Sequence, residues 1–495
     1  MALTLTNIRV WNTGERIDLV VPTATRTAEG QDVADLAIDA TAFTLAPGLA
    51  DPHVHFRDPG QTYKEDMMTG TRAAASGGYT QVLIMPNTEP AMDGRPVVEG
   101  QPGAQEVLDA GCINVIDYLQ QYDTIHDVQL PVHYDLCVSA TKGRAGAASI
   151  DAADIRPYLR ANAAQHTAAQ LAHPVTAVSD DGAAVPTAVL DDVFATIEDL
   201  GLYLIEHCEH HDTGAVNDGP VARELGVPGI AEDTELAIVA RDIEHARRTG
   251  LHVHFQHIST AIAFDAIRQA KAEGLPVTCE TAPHYIALCD ESLLEYGTLA
   301  KMNPPLRSAA DRQAVLDAIA DGTVDMIATD HAPHTLEEKQ LGFLDAPNGI
   351  IGLECAYGVC HQALVSTGII TEERLIELMS VNPHQLMGRQ AVDIPALLEQ
   401  HGSELVGLPR RRLDLTTMED TARVDMVVLD TQCSWSVQPD EFLSKARNTP
   451  FAGWQVTGRP MATIVDGQAT FTRIPGTAPL FAVAQGIQQE EEQHG

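Results

Sequence analysis

The chain has 495 residues, with 31 Lys and Arg against 69 Asp and Glu, a formal net charge of −38 at pH 7. Its 44% hydrophobic content is ordinary for a globular protein and excludes disorder over most of the length. With only six Lys, and Arg410, Arg411 and Arg412 as the longest basic run, the chain lacks the basic footprint that nucleic acid or an anionic membrane requires, so an anionic ligand would need a metal or a buried Arg.

The length suits two or three domains, or one large α/β barrel with an accessory domain. Residues 1–49 read as short β runs broken by turns, TLTNIRVWNTGERIDLV and then LAIDATAFTLAPG. From residue 50 short β-like runs alternate with helical stretches. The helix-like YKEDMMTGTRAAAS (63–76), ended by Gly77 and Gly78, precedes the strand YTQVLIMP (79–86). CINVIDYL, HYDLCVSA and PVTAVSDD are further strand candidates. LYLIEHC (202–208) follows the apolar-periodic AVLDDVFATIEDLG, and LHVHFQH (251–257) follows the long helix AEDTELAIVARDIEHARRTG. PVTCET and VDMIATD complete the series. Such alternation spells a parallel sheet, and about eight units fit an α/β (β/α)8 TIM barrel over residues 50–384. After residue 385 the β texture returns, so 1–49 and 385–495 are expected to pair into a small β-sandwich-like accessory domain. The stretch 395–423 has no clear period and reads as an insertion. The tail QGIQQEEEQHG is low in complexity and is expected to fray.

No stretch approaches the roughly 18 apolar residues of a membrane span, and the N-terminus lacks the order of a signal peptide. Eight Cys without a C-x-x-C pair fit reduced core thiols. The expectation is a cytoplasmic protein.

His53 and His55 lie in ADPHVHFRDPG, and side chains two apart on a strand point the same way, so both imidazoles face one site. Alone, such a pair is weak. Recurrence strengthens it, because Asp181 ends VTAVSDD, His207 closes LYLIEHC, His257 ends LHVHFQH and Asp330 ends DMIATD. In a (β/α)8 barrel the C-terminal strand ends converge on the face where active sites sit. Four neutral imidazoles plus carboxylates suit Zn²⁺ ahead of Mn²⁺, Co²⁺ or Fe²⁺. The offset of His252 and His254 from His257 turns them to the outer face of their strand. His210 and His211 fall in a polar loop, and His126, His133, His166 and His173 lack a strand-end partner. All of these read as surface or packing residues.

These residues and the segments around them resemble the amidohydrolases, and within them the bacterial dihydroorotases. PGLADPHVHFRDPG is similar to that family's opening metal motif, and YKEDMMTGTRAAASGGYTQVLIMPNTEP to the block after it. EHCEHH, HFQHIST, CETAPHYIAL, KMNPPLRS, IATDHAPHTLEEK and APNGIIGLE resemble the later blocks in order, and NTPFAGWQVTGRPMATIVDG the C-terminal one. The likeness spans residues 46–475 except around 101–175 and 390–423, so the 395–423 stretch departs from the family. It implies metal ligands at His53, His55, Asp181, His207, His257 and Asp330, holding one or two Zn²⁺ ions. Asp181, in the turn Asp180-Asp181-Gly182, stands where many amidohydrolases carry a carboxylated Lys. Asp180 stays open for that place, and Lys142 is the one nearby Lys that could be carboxylated.

The resemblance also implies substrate contacts from His55, Arg57, Asn87, Asn303, His334, Asn348 and Gly349, the last two through backbone groups. Arg57 and Asn87 would take a substrate carboxylate, and the planar guanidinium fork suits one. The implied activity is the reversible cyclisation of N-carbamoyl-L-aspartate to L-dihydroorotate in pyrimidine synthesis. In the hydrolytic direction a metal-activated hydroxide attacks the ring amide, with Asp330 as general base and then general acid. The implied assembly is a homo-oligomer, with association with aspartate transcarbamoylase left open. Two rivals share part of the pattern. Hydantoinases, dihydropyrimidinases and allantoinases share the barrel and histidines, but their substrates lack the carboxylate that Arg57 would hold. A non-catalytic dihydroorotase-like subunit of aspartate transcarbamoylase would be missing ligands that are all present here.

Overall fold

The computed structural model describes residues 1–24, 34–160, 171–209 and 214–477. His166, His210, His211 and the tail QGIQQEEEQHG lie outside them. Eight parallel strands follow in chain order around a barrel: Leu49–Val54, Tyr79–Ile84, His133–Val138, Val175–Val178, Leu204–Glu206, Val253–Phe255, Val277–Thr281 and Met326–Ile327. The ring closes where His331, just past the eighth strand, bridges Val54 in parallel. Asp51 pins that closure, accepting the Thr329 amide at 3.2 Å and the Thr329 hydroxyl at 2.5 Å. Burial pushes its carboxyl up to about 7. Ala50, Leu83, Met85, Cys137, Ala177 and Ile205 form one apolar cluster that fills the barrel.

The helices between strands follow from their periodicity. In Thr187–Leu200 the buried positions are Val189, Leu190, Val193, Phe194, Ile197 and Leu200, one apolar stripe that Gly201 ends at φ 66°. The helix expected over 63–76 starts later, at Met67, because Asp66 and Thr69 form a capping box there. CINVIDYL corrects another expectation, being a helix over Val115–Gln120 rather than a strand. The Asn114 side chain caps it by accepting the Asp117 amide, and Val115, Ile116, Tyr118 and Leu119 are buried at helical rather than alternating spacing.

The chain's outer segments build a separate nine-stranded mixed sheet. Its centre is Ala2–Val10 beside Phe43–Pro47, which pairs antiparallel with Met426–Ser436, itself paired with Gln455–Val465. The sheet rests on the N-terminal side of the barrel, where the Thr463 hydroxyl donates to the Ala75 carbonyl at 2.6 Å. The 395–423 stretch, without a clear period in the sequence, carries regular structure. Helix Ile394–His401 leads to Ser403–Glu404 and Arg411–Asp414, and Arg411–Asp414 adds to the sheet edge at Arg16–Pro22. Among the described residues no helix is long and apolar enough to cross a membrane.

Candidate active site

The barrel brings six side chains from the C-terminal strand ends together. His53 Nε2 lies 3.3 Å from Asp181 and 3.5 Å from Asp330, and His55 Nε2 lies 3.4 Å and 3.2 Å from the same two carboxylates. His207 Nδ1 is 3.0 Å from His257 Nε2 and 3.5 Å from Asp181. All six are buried. At the DDG turn the two aspartates point in different directions. Asp180 is turned away, accepting the Ala140 and Thr141 amides at 2.9 Å, while Asp181 faces the histidines. Lys142 stands apart, paired with Asp151 at 2.7 Å.

The electrostatics are those of two carboxylates among imidazoles. Burial alone would disfavour charge, yet the Asp330 and Asp181 charges raise His53 well above its ordinary value, and hydrogen bonds to Asp181 and Glu209 raise His207 to about 9. In return His53 and His55 hold Asp181 and Asp330 well below the usual carboxylate range. The donor set fits a divalent cation. Donor atoms of His53, His55 and Asp330, and of His53, Asp181 and His257, each lie within 4.8 Å of one another, and buried His257 Nδ1 has no hydrogen-bond partner. Two of the six, His257 at φ 34° and Asp330 at φ 47°, have left-handed backbones, as does Arg57 at φ 60°. Each costs about 1–3 kcal/mol, strain of the kind that clusters at functional sites.

Arg57 follows His55, and burial lowers its guanidinium to about 10 even though Asp330 and Asp181 pull it up. Its Nε is buried without a hydrogen-bond partner. Asn87 accepts from His55 Nδ1 at 2.7 Å, and the Asn303 amide nitrogen lies 3.3 Å from His207 Nε2. His334 has both ring nitrogens engaged, Nδ1 with Lys64 Nζ at 3.3 Å and Nε2 with the Asn348 carbonyl at 2.8 Å. Burial and the neighbouring cations Arg57, Lys64 and Lys339 hold it neutral, down to about 2. The Gly349 amide donates to the Lys301 carbonyl and its own carbonyl accepts from Lys339 and Asn448, so these groups hold the loop together. A Cβ at Gly349, where φ is 154°, would sit 2.6 Å from both the Ala332 oxygen and the His334 ring. Gly349→Ala is therefore expected to lose about 1–3 kcal/mol of stability by denaturant titration and to raise KM as the His334 ring is displaced.

The amidohydrolase family model matches residues 44–392. Over 487 residues the chain is 38% identical to a dihydroorotase of Lactiplantibacillus plantarum, covering 95% of this chain and 99% of that one. It is 36% identical to a dihydroorotase of Geobacter metallireducens, covering 88% and 89%. The chain belongs to the dihydroorotases of the amidohydrolase family. Among solved structures it is similar in fold to a dihydropyrimidinase of Brevibacillus agri (TM-score 0.68, 17% identity, 95% of each chain covered). An L-hydantoinase of Arthrobacter aurescens is alike as well (TM-score 0.67, 21% identity, 95% and 96% covered).

Several residues of this dihydroorotase-family site escape a reading of the sequence. His254 is wholly buried, 3.1 Å from Glu280, and does not face outward. The regular strand ends at Phe255, and the left-handed backbone at His257 breaks the alternation on which the outward expectation rested. Glu280 itself accepts from His53 and is held down to about 2 against its burial by His254 and His53. Glu209 is buried 3.7 Å from His207, and the Arg144 guanidinium donates to the Asp181 carbonyl. His284 is buried with Nε2 unpartnered. The only sequence signal for these is their place in the strand-end segments EHCEHH, HFQHIST, CETAPHYIAL and SATKGRAG.

Proposed function

We propose that the protein is a zinc-dependent dihydroorotase that interconverts N-carbamoyl-L-aspartate and L-dihydroorotate in pyrimidine synthesis. His53, His55, Asp181, His207, His257 and Asp330 would hold one or two zinc ions. The observation that carries the substrate reading is Arg57, a guanidinium beside that cluster which makes no ion pair among the described residues and leaves Nε–H unsatisfied. A substrate carboxylate supplies the missing acceptor bidentately. Hydantoin and dihydropyrimidines offer none, which favours dihydroorotate over the activities named for the structural neighbours. Asn87 and Asn303 add amide groups at the same mouth, and His334 with the Asn348–Gly349 loop forms its wall.

Zinc, when bound, lowers the pKa of water and polarises the ring amide carbonyl. The chain's own groups do the rest. In hydrolysis the water oxygen adds to the carbonyl carbon while ionised Asp330 takes the water proton. The ring C–N bond then breaks and Asp330 returns that proton to the departing nitrogen, leaving a carboxyl and a ureido group. In reverse the ring closes and water leaves. A cytoplasmic homo-oligomer, open to association with aspartate transcarbamoylase, belongs to the same proposal and is tested by sedimentation with and without that enzyme.

Exhaustive chelation is expected to abolish dihydroorotate turnover, and added zinc to restore it. His53→Ala is expected to lower bound metal per chain and abolish turnover while the circular dichroism of the barrel stays unchanged. Full activity with no metal detectable by elemental analysis would overturn the metal reading, and turnover of hydantoin in preference to dihydroorotate would overturn the substrate.

A further inference from the structure

Glu280 is 1% exposed, inside the barrel, and each of its carboxylate oxygens faces an imidazole. Oε1 lies 2.9 Å from His53 Nδ1, and Oε2 lies 3.1 Å from His254 Nε2. His254 Nδ1 lies 2.8 Å from the Thr278 hydroxyl, one strand over in the register that sets His254 opposite Thr278. A carboxylate only accepts, so His53 Nδ1 and His254 Nε2 carry the hydrogens. In the neutral ring that metal ligation requires, the His53 lone pair is then on Nε2, the nitrogen that faces Asp181 and Asp330. A competitor stands close. The Gln256 amide nitrogen lies 3.1 Å from His53 Nδ1 and 3.4 Å from Nε2, and donation over the shorter contact would favour the opposite tautomer, with the hydrogen on Nε2.

We propose that Glu280, clamped by His254, is a positioning residue that keeps the hydrogen of His53 on Nδ1 against Gln256 and so presents Nε2 to the metal. The proposal rests on reading the cluster as a metal site, and not on the identity of the substrate. An outer partner of this kind fixes ring orientation and raises ligand basicity, and losing one typically costs about 10–100-fold in metal affinity.

The test is Glu280→Gln, which keeps the shape but offers one neutral acceptor oxygen to two N–H donors. Zinc affinity of the metal-free protein, measured by competition with a chromophoric chelator, is expected to fall about 10-fold or more. In zinc-loaded, ¹⁵N-histidine-labelled protein the hydrogen-bonded Nδ1–H signal of His53, assigned by its loss in His53→Ala, is expected to move upfield. For dihydroorotate kcat should fall while KM holds. Wild-type zinc affinity with an unmoved Nδ1–H signal would show that Glu280 merely fills the barrel. If Glu280→Gln does not fold, His254→Leu decides, since it removes the clamp and leaves Glu280 in place. A loss of zinc affinity in the same direction supports the proposal, and wild-type affinity overturns it. A wild-type protein that binds no zinc defeats the metal reading and this proposal together, whereas a variant that binds zinc as tightly as wild type defeats this proposal alone.

Discussion

Asp330→Asn is expected to slow turnover by about 10²–10⁴-fold or more while bound metal stays largely in place, because general acid–base catalysis contributes on that scale. The two roles proposed for this residue are separable by design. Asn keeps the size and one coordinating oxygen but cannot carry the proton. It also tolerates the left-handed backbone at this position, φ 47°, so no folding penalty is expected to confuse the result. His53 and His55 hold the Asp330 carboxylate well below its ordinary range, so it is ionised and ready to act as a base throughout the neutral region. An acid limb in the pH profile near pH 4 or above, around the reference carboxylate value, therefore belongs to another group and should persist in the variant. Turnover and elemental analysis of the same preparation check the prediction. An Asn variant that keeps its rate would mean that another residue moves the proton, with Asp181 the first to examine.

Arg57→Ala is expected to cost about 2–5 kcal/mol in transition-state binding, or roughly 30- to several-thousand-fold in kcat/KM for dihydroorotate. The loss arises because a buried substrate carboxylate is left without its partner. Any trace activity on uncharged hydantoin should hardly change, since that ring never engages the guanidinium. Ala inherits the same strained backbone at φ 60°, so a stability difference between the two proteins is not expected from the main chain. Measuring both substrates on one preparation is decisive, because equal losses would make Arg57 a structural residue.

The convergence of the candidate ligands was legible because strand alternation is local: His53 and His55 sit two apart, and the remaining side chains lie at strand ends that any barrel gathers. Legibility stopped where position depends on how a strand finishes. The fourth barrel strand ends at Val178, after which Ser179, Asp180 and Asp181 follow loop geometry, and no period in VTAVSDD tells the two aspartates apart. Their separation comes from Ala140 and Thr141, whose amides capture Asp180 across the strand boundary. His254 was misread for the same reason, through a kink three residues later at His257. Glu280 carries no local mark beyond its place in CETAPHYIAL. Its contact with His53 depends on which strands are neighbours around the ring, a fact of closure and not of spacing. CINVIDYL shows the other limit, since a short apolar run is compatible with helix or strand until Asn114 is recognised as a cap.

The sheet formed by the outer segments has a consequence for the order in which the protein is made. Phe43–Pro47 takes its partner, Met426–Ser436, from beyond the barrel, although both leave the ribosome in chain order. Loop-closure entropy grows only logarithmically with length, so this distance adds little to the equilibrium. In time it matters a great deal. During translation the backbone edge of Phe43–Pro47 stays open while all eight barrel strands are synthesised, and an open edge invites pairing with another nascent chain. A message truncated just after the barrel would encode every proposed catalytic group and still yield a product prone to aggregate, so the late hairpin of Met426–Ser436 and Gln455–Val465 works as a seal on completed molecules.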